Sequence, residues 1–527
     1  NLRGIKQKEY NAECKTIIRD SNNLLKRMSA MKFFDPACGS GNFLIITYKS
    51  LRWLEMDILK LQKQCQGEGG QMFVDNSVIR LDQFYGIELL DFPHEVAMLS
   101  LWLAEHQMNT KLNEEFGVNT KALPLKNITQ IVCGNACRLD WNVVCPHTKD
   151  EEVFVFGNPP YLGSKLQSIE QKNDISAAFY GINNCRILDY ICCWFIYGTL
   201  YIKESNAKFA FVTTNSICQG EQVGVLWPAL LNNNVEILFA HKSFKWSNNA
   251  KYNAGVTCVI IGVGNMDNKC PKKIFDNNHS IYVNYINPYL IPNIRTIVFR
   301  SNISPKGQPK LCFGCMPYDD KKRKHLRLDI FQKDEMIRKY PESEKFIRKI
   351  YGSEEYINGK ELYCLWIDDD DIEMAESIPP IKQRIEANRN FRLNESADGQ
   401  ALAEKAHQFR EHPDDMEKII IPSVSSENRN YIPIGFLDNK TIVSNAAFAL
   451  YDAPSWLFGI LTSAMHMVWV KTVGGRLETR YRYSAQLCYN TFPFPKISAA
   501  KKKEIADAAE DILVTREFHV GKTLAEL

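Results

Sequence analysis

The sequence lacks any apolar run long enough to cross a bilayer. The longest, from about Tyr190 to Ile202, falls well short of the ~20 residues that a spanning helix needs. It also lacks a dominant charge, since 64 Lys plus Arg stand against 61 Asp plus Glu for a formal net charge of +3. That balance excludes wholesale coating of a polyanion but leaves room for a local basic groove, so charge has to be read by segment. Neither an initiator Met nor a charged-then-apolar leader opens the chain at Asn1, and the expectation is a piece of a longer, soluble protein. Low-complexity segments and internal repeats are missing too. Cysteine is plentiful at 16 residues, yet the cysteines lie in apolar runs such as Cys192-Cys193 without small-domain spacing, which reads as a reducing cytoplasm rather than a disulfide framework. What remains, 45% hydrophobic and 24% charged residues, is an ordinary globular chain of several domains.

From Met31 to about Gly264 short β-like runs alternate with longer amphipathic ones, the pattern of a parallel sheet covered by helices. Strands are expected at Lys32–Asp35, Phe84–Glu88, Gln130–Gly134, Val153–Gly157, Lys208–Thr213 and Val235–Ala240, with Gly255–Gly262 closing the sheet. Helices are expected at about Asn42–Gln64 and Phe92–Met108. Beyond about residue 285 the alternation breaks and charged stretches interrupt short β-like runs. The expected domains are a helical lead over 1–30, an α/β doubly wound, Rossmann-like domain over 31–284, an α+β domain over 285–497 and a helical segment over 498–527, whose Ala and Ile share one face. In doubly wound sheets ligands sit at the carboxyl ends of the strands, so the turns there are where chemistry is sought.

The first such turn reads Asp35-Pro36-Ala37-Cys38-Gly39-Ser40-Gly41-Asn42-Phe43. Its two glycines permit a tight turn and close backbone approach to a ligand ahead of a helix N-terminus. It is neither the three-glycine dinucleotide pattern nor a P-loop, because no Lys-Ser/Thr follows. Glu88 ends the next strand, placed to accept hydrogen bonds from ribose hydroxyls or, more blandly, to cap the following helix. Asn135, in Gly134-Asn135-Ala136, offers a donor and an acceptor that suit an adenine edge, although turn formation alone explains an Asn there. The fourth strand delivers Asn158-Pro159-Pro160-Tyr161. Two prolines stiffen the turn and remove two N–H donors while leaving the carbonyls as acceptors. The Asn158 side-chain oxygen and the Pro159 carbonyl can therefore take both hydrogens of an exocyclic amino group, with Tyr161 stacked on the ring that carries it.

In this order these motifs resemble motifs I to IV of the gamma-class S-adenosylmethionine-dependent N6-adenine DNA methyltransferases. Further on, Arg429 in Ser425-Ser426-Glu427-Asn428-Arg429, then Met465-His466-Met467-Val468-Trp469, Gly475-Arg476-Leu477, Tyr481-Arg482-Tyr483-Ser484 and Asn490-Thr491-Phe492-Pro493-Phe494-Pro495, are similar to the type IIL restriction-modification enzymes, which join a nuclease, a methyltransferase and a target-recognition domain. The likeness runs from residue 31 to 497. It implies a site-specific methyltransferase acting in a prokaryotic cytoplasm on double-stranded DNA with a specific recognition sequence. Asp35, Pro36, Ala37, Cys38, Gly39, Gly41, Asn42, Phe43, Glu88, Asn135 and Asn158 would line the S-adenosyl-L-methionine pocket; Asn158, Pro159, Pro160 and Tyr161 would hold an adenine flipped out of the duplex. Phe244, Trp246 and Tyr252 are candidates for a second aromatic clamp. No metal is implied, and a nuclease would lie upstream, outside this chain. A cytosine-C5 mechanism would need a Pro-Cys pair, and Cys145-Pro146 reverses that order; cytosine N4 stays open beside adenine. Rival readings are a methyltransferase acting on protein glutamine or on RNA, and a catalytically inert DNA-specificity component.

Residues 466–496 hold Lys471, Arg476, Arg480, Arg482 and Lys496 against one acid, Glu478, interleaved with Trp469, Tyr481, Tyr483, Tyr489, Phe492 and Phe494. Phosphate contacts from such cations set affinity, and base-edge contacts set sequence, for which Glu427 and Arg429 are the candidates. Two patterns are set aside. Pro413-Asp414 with Asp438-Asn439-Lys440 fits a loose nuclease pattern but equally a hairpin turn, and Cys312-Phe313-Gly314-Cys315 has no partner pair for zinc. His94, His106 and His466 read as packing residues.

Overall fold

The computed structural model describes residues 7–66, 77–117, 130–246, 256–266 and 271–527. The chain divides into two compact units, residues 1–218 with 222–297, and residues 219–221 with 298–527. The elements of the first unit are, in order, α1 (Gln7–Ala30), β1 (Lys32–Asp35), α2 (Asn42–Gln66), β2 (Phe84–Glu88), α3 (Asp91–Phe116), β3 (Gln130–Cys133), α4 (Trp141–Val144), β4 (Val153–Gly157), α5 (Ile169–Ala178), α6 (Cys192–Ile202), β5 (Lys208–Thr214), α7 (Val223–Leu231), β6 (Val235–Trp246), β7 (Val256–Asn265), β8 (Lys272–Asp276) and β9 (His279–Val283).

The strands form one sheet in the order β3-β2-β1-β4-β5-β7-β6-β8-β9, with β1 to β5 mutually parallel. The strand order reverses at β1, so the crevice at the carboxyl ends of β1 and β4 is the topological switch point. Successive residues of β1 point to opposite faces: Phe33 packs among side chains of α1, α2 and α3, and Phe34 among those of α4 and α6. The apolar run noted in the sequence is α6, mostly buried in the second of these cores. Among the described residues no single helix is long and apolar enough to cross a membrane.

One strand expectation is corrected. The segment expected to close the sheet is β7, and it lies inside it, antiparallel to both β5 and β6, while β8 and β9 continue the sheet beyond β6. The reason is its composition: Cys258, Val259, Ile261 and Val263 are all fully buried, and a strand apolar on both faces belongs in a sheet interior rather than at an edge.

The second unit is α+β. One four-stranded sheet runs Cys312–Phe313, Ala447–Tyr451, Lys418–Pro422, Gly435–Leu437; another runs Arg327–Leu328, Tyr363–Leu365, Ile347–Tyr351, Ile442–Val443. A third, of three strands, runs Val424–Ser425, Arg480–Arg482, Gly475–Leu477. Arg392, fully buried, gathers the carbonyls of Pro317, Tyr318, Leu402, Lys405 and Gln408. It thereby fixes two otherwise irregular segments to one helix. The last helix, Ala499–Glu517, has its apolar face on Ser455–Leu461, where Ile505 and Ala509 lie over Gly459.

The approach is tight where β4 meets β1: a Cβ on Gly157 would lie 2.4 Å from the Asp35 Oδ1 atom. Gly157→Ala is expected to displace Asp35 and to lower stability by ~1–3 kcal/mol as an overpacking change. The midpoint of urea unfolding measures this, and an unchanged midpoint would contradict the described approach.

Candidate functional site

The turn after β1 is built by hydrogen bonds that its sequence supplies. Asp35 Oδ1 accepts the Ala37 N–H at 3.0 Å, the Cys38 N–H reaches the Ile87 carbonyl at 3.0 Å, and the Gly41 N–H reaches the Cys38 carbonyl at 2.8 Å. Both glycines have left-handed backbone, φ +55° at Gly39 and +82° at Gly41, and a Cβ on Gly41 would also press on Ala97 of α3 at 3.2 Å. Glu88 is half-buried at the end of β2. Its Oε2 accepts the Gly39 N–H at 2.9 Å and its Oε1 the Leu90 N–H at 3.0 Å, so one carboxylate ties the first turn to the entrance of α3 and keeps further lone pairs free. The two roles read from the sequence for Glu88, ligand acceptor and helix-entrance group, are thus compatible.

Asp35 is 1% exposed, and its Oδ2 has no partner. Burial pushes its carboxyl up to about 7, opposed by the Ala37 N–H and reinforced by the charge of Glu88. Cys38, also buried, is driven up by burial and then by Asp35 and Glu88, so its thiol stays protonated and unreactive.

The β4 turn places Asn158 half-buried, Pro159 buried and Pro160 exposed. The Asn158 Oδ1 atom is buried with no hydrogen-bond partner among the described residues. The chain beyond is pinned: the Leu162 N–H donates to Asp189 Oδ1 at 2.8 Å, and the buried Gln167 amide donates to the carbonyls of Leu162 (2.8 Å) and Leu188 (3.0 Å). Tyr161 packs against the core and its hydroxyl sits beside the Cys258 thiol; burial, then Cys258, raises it. Cys258 on β7 is the cross-strand partner of Phe244 on β6, which brings Phe244 to the same edge of the sheet as Tyr161. The Trp246 side chain and Tyr252 lie outside the described residues.

These turns surround a cleft of about 680 Å³. Its walls include Pro36, Ala37, Glu88, Asn135, Asn158 and Pro160 among the residues singled out from the sequence. Asp35, Cys38, Gly39 and Gly41 lie behind the wall as its frame, Asn42 is exposed, and Phe43 packs obliquely on Phe156. Asn135 lines the cleft and also builds the turn, its Oδ1 accepting the Cys137 N–H at 2.8 Å, as the turn-forming role read from the sequence requires. The sequence reading missed Leu89, Leu90, Arg138, Asp174, Tyr190 and Trp194, all of which line the cleft. Only Leu89 and Leu90 carried a local signal, as apolar residues next to Glu88. At the start of α3, Asp91, His94 and Glu95 bring ligand-type atoms within 4.8 Å of one another, on exposed or half-exposed side chains.

In the second unit the small three-stranded sheet collects most of the expected DNA contacts. Arg480 and Arg482 share one face of the Arg480–Arg482 strand; Tyr481, on the other face, is buried and carries the Arg476 guanidinium 3.9 Å above its ring, with the Lys471 ammonium 6.0 Å away. The expected basic row is therefore split between two faces. Arg482 is exposed, Arg480 pairs with Glu478 at 3.0 Å, Glu427 accepts from the Thr479 hydroxyl at 2.6 Å, and Arg429 donates to the Leu524 carbonyl at 2.7 Å. Tyr483, Tyr489 and Phe492 are buried core residues, so the interleaved aromatics build the scaffold. Asp438 accepts the N–H groups of Lys440 and Thr441, as a hairpin turn requires. His466 is buried against the Tyr483 hydroxyl, whereas His106 is exposed on α3, contrary to its expected packing role.

Residues 9–276 match the family model described as MmeI, DNA-methyltransferase domain, and residues 292–496 match MmeI, target recognition domain. The chain belongs to the MmeI family. A Bacillus subtilis protein named DNA methyltransferase A is 48% identical over 508 residues, 96% of this chain and 57% of that protein. The solved structure of the type IIL restriction-modification enzyme MmeI in complex with DNA has a TM-score of 0.85 at 37% identity, covering 98% of this chain and 70% of that one. The chain thus spans somewhat over half the length of its curated relative. The MmeI-like first unit carries the cleft, and the MmeI-like second unit carries the small basic sheet.

Asp35 yields a pH test. Unfolded, its carboxyl ionises near 3.8; folded, near 7. The folded chain therefore holds a proton that the unfolded chain has lost between these values, and stability falls as pH rises from about 4 to 7. Asp35→Asn removes this contribution. Melting temperatures without ligand should rise in the variant relative to the parent at pH 8 and not at pH 4; equal shifts at both would contradict the buried, unpaired carboxyl.

Proposed function

We propose that the chain transfers a methyl group from S-adenosyl-L-methionine to N6 of an adenine flipped out of double-stranded DNA, as the modification and recognition part of a restriction-modification protein. The observation that carries this reading is the buried, unpartnered Asn158 Oδ1 beside a turn with two prolines. A buried acceptor without a donor costs roughly 1–3 kcal/mol, and a ligand amino group is the natural partner for it.

The residues of the cleft fit the methyl donor. S-adenosyl-L-methionine, when bound, supplies an electrophilic methyl group on a cationic sulfur. Glu88 has lone pairs left for ribose hydroxyls, and Leu89 and Leu90 flank it with exposed apolar surface. Asp35, next to the cleft wall, has the unpartnered acceptor and the negative charge that a cationic ligand stabilises. Asn158 Oδ1 and the Pro159 carbonyl hold the two amino hydrogens of the adenine, which directs the nitrogen lone pair out of the ring plane toward the methyl group. In this reading Tyr161 and Phe244 contact the flipped ring. Catalysis then consists of orientation and electrostatics, with no covalent intermediate on the protein.

In the proposed division of labour, residues 31–284 carry the transfer and 285–497 the target recognition, with helical flanks at 1–30 and 498–527. Arg482 and Lys471 supply phosphate contacts, Glu427, Arg429, Arg476 and Arg480 shape base readout, and any nuclease belongs to a part of the protein outside this chain. A reducing prokaryotic cytoplasm suits a chain in which every described cysteine is a free thiol.

Asn158→Ala is expected to lower methyl transfer from tritiated donor to DNA by about a thousandfold, the scale of losing a positioned electrostatic partner, while the Kd for the donor changes little. Tyr161→Ala should weaken productive capture of the base. Retention of DNA methylation in the Asn158 variant would overturn the mechanism, and label in protein or RNA rather than DNA would overturn the substrate class.

A further inference from the structure

Asp174, on α5, is 6% exposed and lines the cleft, and its carboxylate receives three donors from two separate segments. Arg138 Nε donates to Oδ1 at 2.9 Å, the Tyr190 hydroxyl donates to Oδ2 at 2.9 Å, and Asn135 Nδ2 donates to Oδ2 at 3.3 Å. The Arg138 guanidinium, half-exposed at the rim, is drawn toward this carboxylate first of all. These partners come from the turn after β3 and from the loop ahead of α6.

We infer that Asp174 is a positioning residue for the methyl donor, setting the orientation of Asn135 and fixing α5 as the far wall of the donor cleft. The inference rests on the reading under Proposed function and goes beyond it to a residue that no sequence motif marks.

The Asn135 amide can face only one way. Its oxygen meets the Cys137 N–H at 2.8 Å and its NH₂ meets Asp174 at 3.3 Å. Turned over, it would set oxygen against the Asp174 carboxylate and NH₂ against an N–H, two repulsions in place of two hydrogen bonds. Without Asp174 only the Cys137 N–H still favours that choice, and the buried Tyr190 hydroxyl and the Arg138 Nε lose their acceptor as well.

The start of α5 is separately anchored. Ser168 and Gln171 form a reciprocal capping box, and the Gln167 amide bridges the carbonyls of Leu162 and Leu188. Helix α5 is therefore tied at one end to the chain leaving the Asn158 turn, and through Asp174 to the Asn135 turn. The same short helix spans the two halves of the cleft, one beside Asn158 and one beside Glu88. Asp174 touches no reacting atom in this arrangement; it acts through Asn135 and through the wall.

The test is calorimetric binding of S-adenosylhomocysteine to the parent chain, Asp174→Ala, Asn135→Ala and the double variant. Asp174→Ala should raise Kd at least about tenfold. The double variant should bind no more weakly than the weaker single variant, because the two residues act as one unit. In turnover the KM for the methyl donor should rise with Kd while kcat at saturating donor falls much less, a split that general loss of structure does not produce. Should Asp174→Ala melt early, Asp174→Asn, of equal volume, carries the same comparison. Parent binding with unchanged Kd in the Asp174 variants, or additive losses in the double variant, overturns the positioning role alone. A parent chain that does not bind S-adenosylhomocysteine overturns the functional reading and, with it, this inference.

Discussion

Strands β1 and β4 lie side by side with a carboxyl group at the end of one because the other ends in glycine. The Asp35 Oδ1 atom occupies the space where a Gly157 side chain would begin. Once Asp35 is there, it takes the Ala37 N–H and bends the chain into the turn whose Pro36 carbonyl receives the Trp194 indole at 3.1 Å and whose Gly39 N–H donates to Glu88. The residue after Gly157 is Asn158. One steric allowance between neighbouring strands thus brings the turn after β1 and the Asn158 turn side by side in the cleft, at the point where a doubly wound sheet reverses its order.

Two buried polar atoms near this junction, Asp35 Oδ2 and Asn158 Oδ1, have no partner among the described residues. Each is a cost to the folded chain, and each has the polarity that a cationic methyl donor and an exocyclic amino group would satisfy. Stability forgone at a binding site in this way is expected where ligand contacts replace internal ones. Arg392 reaches five backbone carbonyls, and Asp174 receives three donors.

Much of the site was legible because its parts are local. Asp35 to Gly41, Glu88 and Asn158 to Tyr161 each follow an apolar strand, and the chemistry of each turn is written in adjacent residues. The parallel core of the sheet was legible for the same reason. What escaped notice depends on contacts distant in sequence: Trp194 meets Pro36 across 158 residues, and Arg138 meets Asp174 across 36. The insertion of β7 between β5 and β6 follows from two-sided burial, which an apolar run signals only weakly. In the second unit charge was read correctly as local, but strand alternation divided it, sending Arg480 and Arg482 to one face and stacking Arg476 on the buried Tyr481 on the other. The +3 net charge says nothing of that arrangement.

The account's central claim is that this junction presents a methyl group to an adenine amino nitrogen. The most direct measurement is nucleoside mass spectrometry of double-stranded DNA incubated with the purified chain and S-adenosyl-L-methionine. N6-methyl-2′-deoxyadenosine is the predicted result; N4-methyl- or C5-methyl-2′-deoxycytidine, or unmodified DNA, would contradict it.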